Sequence, residues 1–186
     1  MQSVDTVIEA RWVVPVRPRG AVLEHHAVMI DQGRILAVQP TAQARQQFAG
    51  ARRLVLENHV LVPGLVNAHG RSAMSLLRGV GDDLALDRWL QEQVWPLERV
   101  LVSPGFVYDG ARLAAAEMLR AGITCCNDAY FYPAETAQGL RSLGMRAVVG
   151  ILVIDFPSRY ASDADDYLRQ GLAARRAHPT RLAMRR

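Results

Sequence analysis

Apolar and polar positions alternate with a period of two through most of the first sixty residues, which reads as short strands. Val4 to Val14 alternates loosely until the stretch Pro15–Gly20 breaks it. His25–Ile30 and Ile35–Val38 flank Asp31-Gln32-Gly33-Arg34, which predicts a hairpin. Thr41 is placed to cap a short helix through Phe48, and Arg53–Leu56 and His59–Val62 read as two further strands. The texture changes at Pro63-Gly64. Leu65–His69 reads as a short buried strand, with helical segments expected over Ser72–Leu77 and around Leu86–Val94. Ser103-Pro104 predicts a helix start, and the Ala/Leu/Met run behind it is expected to end at Ala121-Gly122. Then follow a strand at Ile123–Asn127, a helix at Ala134–Leu143 and a continuous apolar, buried strand at Arg146–Ile154. Ser162 to Asp165 has capping-box spacing for a helix ending at His178-Pro179, and Arg181–Met184 begins one more strand.

The second part thus repeats strand and helix, which right-handed crossovers turn into a parallel sheet. About four strands are expected, where a closed (β/α)8 barrel needs eight. The expected class is α/β. Residues 1–62 form a small N-terminal β unit of sandwich type, and residues 63–186 form the first part of an incomplete barrel.

Composition narrows the classes. The chain has 186 residues, 50% of them hydrophobic and 22% charged, which is enough for an ordinary core and excludes a disordered chain. No apolar run reaches the roughly 20 residues of a membrane span, and the N-terminus lacks the basic region of a signal peptide. The two cysteines, Cys125 and Cys126, are adjacent and cannot staple a scaffold, so a cytoplasmic location is expected. The net charge of +4 rests on 22 basic residues, all arginine and mostly scattered. A loose group at Arg169, Arg175, Arg176, Arg181, Arg185 and Arg186 is the exception. Neither nucleic acid nor a membrane is the expected partner.

The segment Val60–Leu84, VLVPGLVNAHGRSAMSLLRGVGDDL, carries the most specific signal. It resembles the metal-dependent amidohydrolase superfamily, in the branch that deaminates methylthioadenosine and S-adenosylhomocysteine and that also contains triazine chlorohydrolases. The branch pattern is P-G-L-[VI]-N-[AT]-H-x-H followed by S-L-L-R-G and D-D-L. Agreement continues at Trp89-Leu90, Trp95–Glu98, Ala116–Leu119 and Gly144–Ala147. The resemblance implies a zinc-dependent hydrolase that replaces an exocyclic amine of a nucleoside by a carbonyl. It implies His69 as a first metal ligand and Glu98 as the acceptor for the substrate's ribose hydroxyls.

In H-x-H, imidazoles two residues apart on a strand can share one ion. Here the second position holds Arg71, whose guanidinium has no lone pair and stays charged. The resemblance also implies later motifs (a third ligand His, an acid/base Glu, a further His and a ligand Asp) that the sequence to Arg186 does not carry. A front portion of such an enzyme is therefore expected, with no catalytic residue of its own, no bound zinc and no activity alone. Self-association through exposed barrel edges is expected with it. A non-catalytic binding or scaffold protein derived from the family is the alternative. Arg78 with Asp82-Asp83 reads as a salt-bridged loop, Trp89 and Trp95 as packing residues, and His25-His26 as inert.

Overall fold

A computed structural model describes residues 1–177, which divide into two compact units, Met1–Pro63 and the residues from Gly64 onward. The expected strand at Arg181–Met184, the His178-Pro179 terminator and three of the C-terminal arginines lie outside the described residues.

In the first unit, β1 (Gln2–Val13), β2 (Leu23–Asp31), β3 (Arg34–Pro40) and β4 (Phe48–Leu61) form one sheet in the order β3-β2-β1-β4. β2 is antiparallel to β1 and β3, whereas β4 runs parallel to β1. The β2–β3 turn has φ of 48° at Gln32 and 71° at Gly33, the two positive values that a tight two-residue hairpin needs. Alternation decides the packing. Val4, Val7, Ala27, Met29 and Phe48 gather with Ala44 of α1 (Thr41–Gln47), while Ala10, Val13 and Val28 form a second cluster.

Two expectations are corrected here. Pro40, not Thr41, occupies the helix-capping position, and no side chain caps α1. The two strands expected within 53–62 are one long strand, because β1 pairs along its whole length and absorbs the irregularity at a register shift between Ala10 and Trp12.

In the second unit, β5 (Leu65–Gly70), β6 (Ile123–Ala129) and β7 (Arg146–Gly150) form a parallel sheet in that order. A 3₁₀ turn (Ser72–Leu77) follows β5. A helical run then comprises α2 (Leu86–Arg88), a π-helical stretch (Trp89–Val94) and α3 (Trp95–Leu101). α4 (Pro104–Arg120) starts where expected: the Ser103 hydroxyl accepts the Phe106 N–H at 3.2 Å and Pro104 fills the first turn. α4 and α5 (Pro133–Ser142) pack Ala111, Ala114, Ala115, Met118 and Leu140 against Cys126 and Met145. Gly110 lets α4 approach the 3₁₀ turn, since a Cβ there would lie 2.7 Å from the Ala73 carbonyl oxygen.

α6 (Ala164–Ala177) is capped one residue later than its spacing suggests. Asp163 Oδ1 accepts the Asp166 N–H at 2.9 Å, and Asp166 Oδ2 accepts the Ser162 N–H at 3.0 Å.

The strands of this unit are less covered than their apolar character predicts. Leu65 is 59% and Val66 64% exposed, so β5 is not a buried strand. The expected strand over Arg146–Ile154 stops at Gly150, opposite Ala129, because its neighbour β6 ends there. Helices cover one face of the sheet; Cys126 and Asp128 of β6 are buried, whereas Asn127 and Ala129 on the opposite face are exposed. Three parallel strands are present among the described residues of this unit, and no helix of the described residues is long and apolar enough to cross a membrane.

Candidate functional site

The C-terminal end of β5 carries His69 and leads into Arg71. The β5–β6 ladder pairs Asn67 with Cys126 and Gly70 with Asp128, so three residues advance on β5 for two on β6. Such a bulge re-aims side chains at a strand end, and His69 lies within it. His69 is exposed, and its N–H donates to Asn67 Oδ1 at 3.2 Å. The strand ends at Gly70. Arg71 follows in an irregular conformation (φ −134°, ψ 67°) ahead of the 3₁₀ turn, so the in-strand spacing expected for positions 69 and 71 does not extend to the second of them.

Position 71 is nevertheless held. The Ser72 N–H donates to Asp128 Oδ2 at 2.6 Å, and the Met74 N–H donates to the Arg71 carbonyl at 2.9 Å. Asp128 is fully buried, and its Oδ1 has no hydrogen-bond partner. A Cβ at position 70 would stand 3.2 Å from Asp128 Oδ2, so glycine there keeps the strand end close to this carboxylate.

Glu98, on α3, is half-buried and accepts a 2.7 Å hydrogen bond from the hydroxyl of Tyr130, which is itself buried just beyond β6. Burial pushes the Glu98 carboxyl above the usual glutamate range, and the Tyr130 hydrogen bond and the Arg71 charge partly oppose that. Burial and the adjoining carboxylate hold the Tyr130 hydroxyl firmly protonated. The structure brings Glu98 and Tyr130 together, and the Arg71 charge bears on both groups. Beside Glu98 lies a cavity of about 170 Å³ lined by Trp95, Arg99, Val102, Phe131 and Phe156, among others. The Trp95 and Phe156 rings stand 5.6 Å apart at 55°, forming an aromatic wall.

Other sequence candidates resolve plainly. Trp89 is a packing residue; its indole N–H donates to the Val80 carbonyl at 2.7 Å. Trp95 departs from that reading by lining the cavity. Arg78 pairs with Glu117 at 2.6 Å rather than with Asp82 or Asp83, because the facing side of α4 offers a bidentate carboxylate. Cys126 is buried beside Asp128 and its thiol is pushed up to about 11, which suits an inert core residue. Tyr130, Asp128 and Phe156 escape sequence reasoning. The one local signal was an acid at an inward position of the apolar strand β6.

A catalytic zinc takes three protein ligands and an open position. Arg71 supplies no lone pair, and among the described residues no group of three or more His, Cys, Asp or Glu could hold a metal ion. The donor set of the described residues does not fit zinc.

The profile of the amidohydrolase family matches residues 60–184. The 5-methylthioadenosine/S-adenosylhomocysteine deaminase of Saccharophagus degradans is 45% identical over 168 residues, covering 90% of this chain and 38% of the relative. The solved structure of an adenosine deaminase from Xanthomonas campestris with bound zinc superposes with a TM-score of 0.91. It is 47% identical and covers 95% of this chain and 40% of that one. Atrazine chlorohydrolase from Arthrobacter aurescens, complexed with zinc, shares the fold at a TM-score of 0.77 and 19% identity, over 92% of this chain and 42% of that protein. The chain spans about two fifths of the length of these relatives.

Proposed function

The chain belongs to the amidohydrolase family of hydrolases, and from that premise we propose that it carries the nucleoside-reading part of a deaminase site without the metal-holding part. In this reading β5, β6 and β7 with their helices are the opening strands of a (β/α)8 barrel, and the first unit is part of a composite β-sandwich. The family reaction removes an exocyclic amine from an adenosine-type nucleoside by hydrolysis of a C–N bond, with a zinc ion supplying the activated water.

One observation carries the proposal. The described residues keep Glu98, half-buried and oriented by Tyr130 beside an aromatic cavity, while the second ligand position holds Arg71. Glu98 accepts the ribose hydroxyls in charge-assisted hydrogen bonds, and the Trp95–Phe156 wall takes the apolar part of the nucleoside. His69 is the remnant of the ligand pair. The 186 residues by themselves then bind nucleoside and do not deaminate it, as a non-catalytic binding protein would.

Equilibrium binding tests this. Adenosine is expected to bind more tightly than 2′,3′-dideoxyadenosine, and Glu98→Gln is expected to remove most of that difference. Ammonia release from adenosine or methylthioadenosine should stay at the buffer rate, and Arg71→His alone should not restore it. Equal affinity for the two nucleosides, or stoichiometric ammonia production, would refute the reading.

A further inference from the structure

Tyr130 is 1% exposed and does not line the cavity, yet its hydroxyl donates at 2.7 Å to Glu98 Oε1, and Glu98 does line it. Packing fixes the phenol. Its ring stands 4.9 Å from that of Phe131 at 59° and shares a buried cluster with Ala73, Val102, Val107 and Tyr167. Glu98 has the opposite character. A glutamate side chain is rotamer-rich, and half-buried at the cavity edge it has several positions open to it. The hydrogen bond from an immobile donor selects one of them.

A ribose diol brings two O–H donors. An ionised carboxylate meets them as a pure acceptor, whereas a protonated one meets them with a donor of its own. Burial favours the neutral Glu98 carboxyl; the Tyr130 hydrogen bond and the Arg71 charge favour the anion. Arg99 and Arg159 line the cavity beside Glu98, and Tyr167 of α6, whose hydroxyl donates to Ser158 Oγ at 2.6 Å, packs in the Tyr130 cluster. We propose that Tyr130 is a positioning residue for ribose recognition: a buried donor, off the cavity wall, whose hydroxyl aims the Glu98 carboxylate and keeps it an acceptor, so that preference for an intact diol depends on it. This inference rests on the reading of Glu98 as the ribose acceptor.

Calorimetric titration of the chain with adenosine and with 2′,3′-dideoxyadenosine over a pH series tests it. In the parent, adenosine affinity should fall as pH drops through the raised value of the Glu98 carboxyl, and dideoxyadenosine affinity should not follow it. Tyr130→Phe keeps the ring and its packing. Adenosine is expected to bind it about 2- to 12-fold more weakly at neutral pH, the cost of immobilising one free side chain, with dideoxyadenosine unchanged. Its acid limb should also move to higher pH, because a bond that favours the anion is gone. Placing 3-fluorotyrosine at position 130, a stronger donor on the same ring, should move the limb to lower pH, which a loss of packing does not do. That variant also decides the matter if Tyr130→Phe does not fold. A parent that binds both nucleosides alike would overturn the Glu98 reading and this inference together. A parent that prefers adenosine, with variants that keep that preference and its acid limb, would overturn the role of Tyr130 alone. Equal weakening of both nucleosides with an unmoved limb would reduce Tyr130 to a packing residue and overturn it as well.

Discussion

Val66→Lys on β5 should sharply weaken self-association of the 186-residue chain while leaving its fold intact. Leu65 and Val66 are 59% and 64% exposed, and among the described residues β5 pairs only with β6, so its outer edge offers unpaired backbone groups. An apolar strand with a free edge is a template for pairing with another copy. Fully burying a Val or Leu side chain is worth about 1.5–3 kcal/mol. Covering roughly 60% of two such residues on each of two copies therefore yields about 4–7 kcal/mol, before any edge hydrogen bonds. Lysine at position 66 removes about half of that and sets like charges facing each other, weakening association by about 2–4 kcal/mol, roughly 30- to 1,000-fold. Because Val66 is already exposed, the stability of each copy should change by less than about 1 kcal/mol. Sedimentation velocity and light scattering across a hundredfold concentration range read the association, and urea unfolding reads the stability. A parent chain that stays monomeric throughout, or a variant that associates as strongly as the parent, would refute the reasoning.

Two further outcomes follow from the packing and the charges. Gly110→Ala should lower the unfolding free energy by about 1–3 kcal/mol, although alanine is the better helix former by about 1 kcal/mol, because its Cβ would meet the Ala73 backbone at 2.7–2.8 Å; a denaturation midpoint at or above that of the parent would contradict this. Burial raises the Glu98 carboxyl, so as pH climbs above the ordinary glutamate value of 4.5 the unfolded chain releases this proton before the folded one does. Stability contributed by this group is therefore greatest at low pH and falls as pH rises through the raised value. Glu98→Gln should flatten that slope in a pH series of urea midpoints, and an unchanged slope would count against the burial argument.

The sequence was most legible where structure is local. The Asp31–Arg34 hairpin, the Ser103 cap and the parallel strand–helix rhythm each depend on a few neighbouring residues, and each is present. The apolar run of β5 misled because such runs read as buried only when both faces of a sheet are covered, and here Leu65 and Val66 are open. His69 and Arg71 were visible in one short string. The grip of Asp128 on Ser72 spans 56 residues and the Tyr130–Glu98 hydrogen bond spans 32, so neither leaves a mark in local spacing. The β5 bulge was equally hidden, since a register slip depends on the partner strand.

The central claim, that this chain keeps the ligand-reading side of the family site but not its metal-holding side, is tested most directly by metal analysis of the purified protein. After dialysis against buffer containing excess zinc and then against metal-free buffer, elemental analysis should find far less than one zinc per chain, because His69 beside Arg71 does not make a zinc site. One equivalent of zinc that resists a chelator would contradict the account.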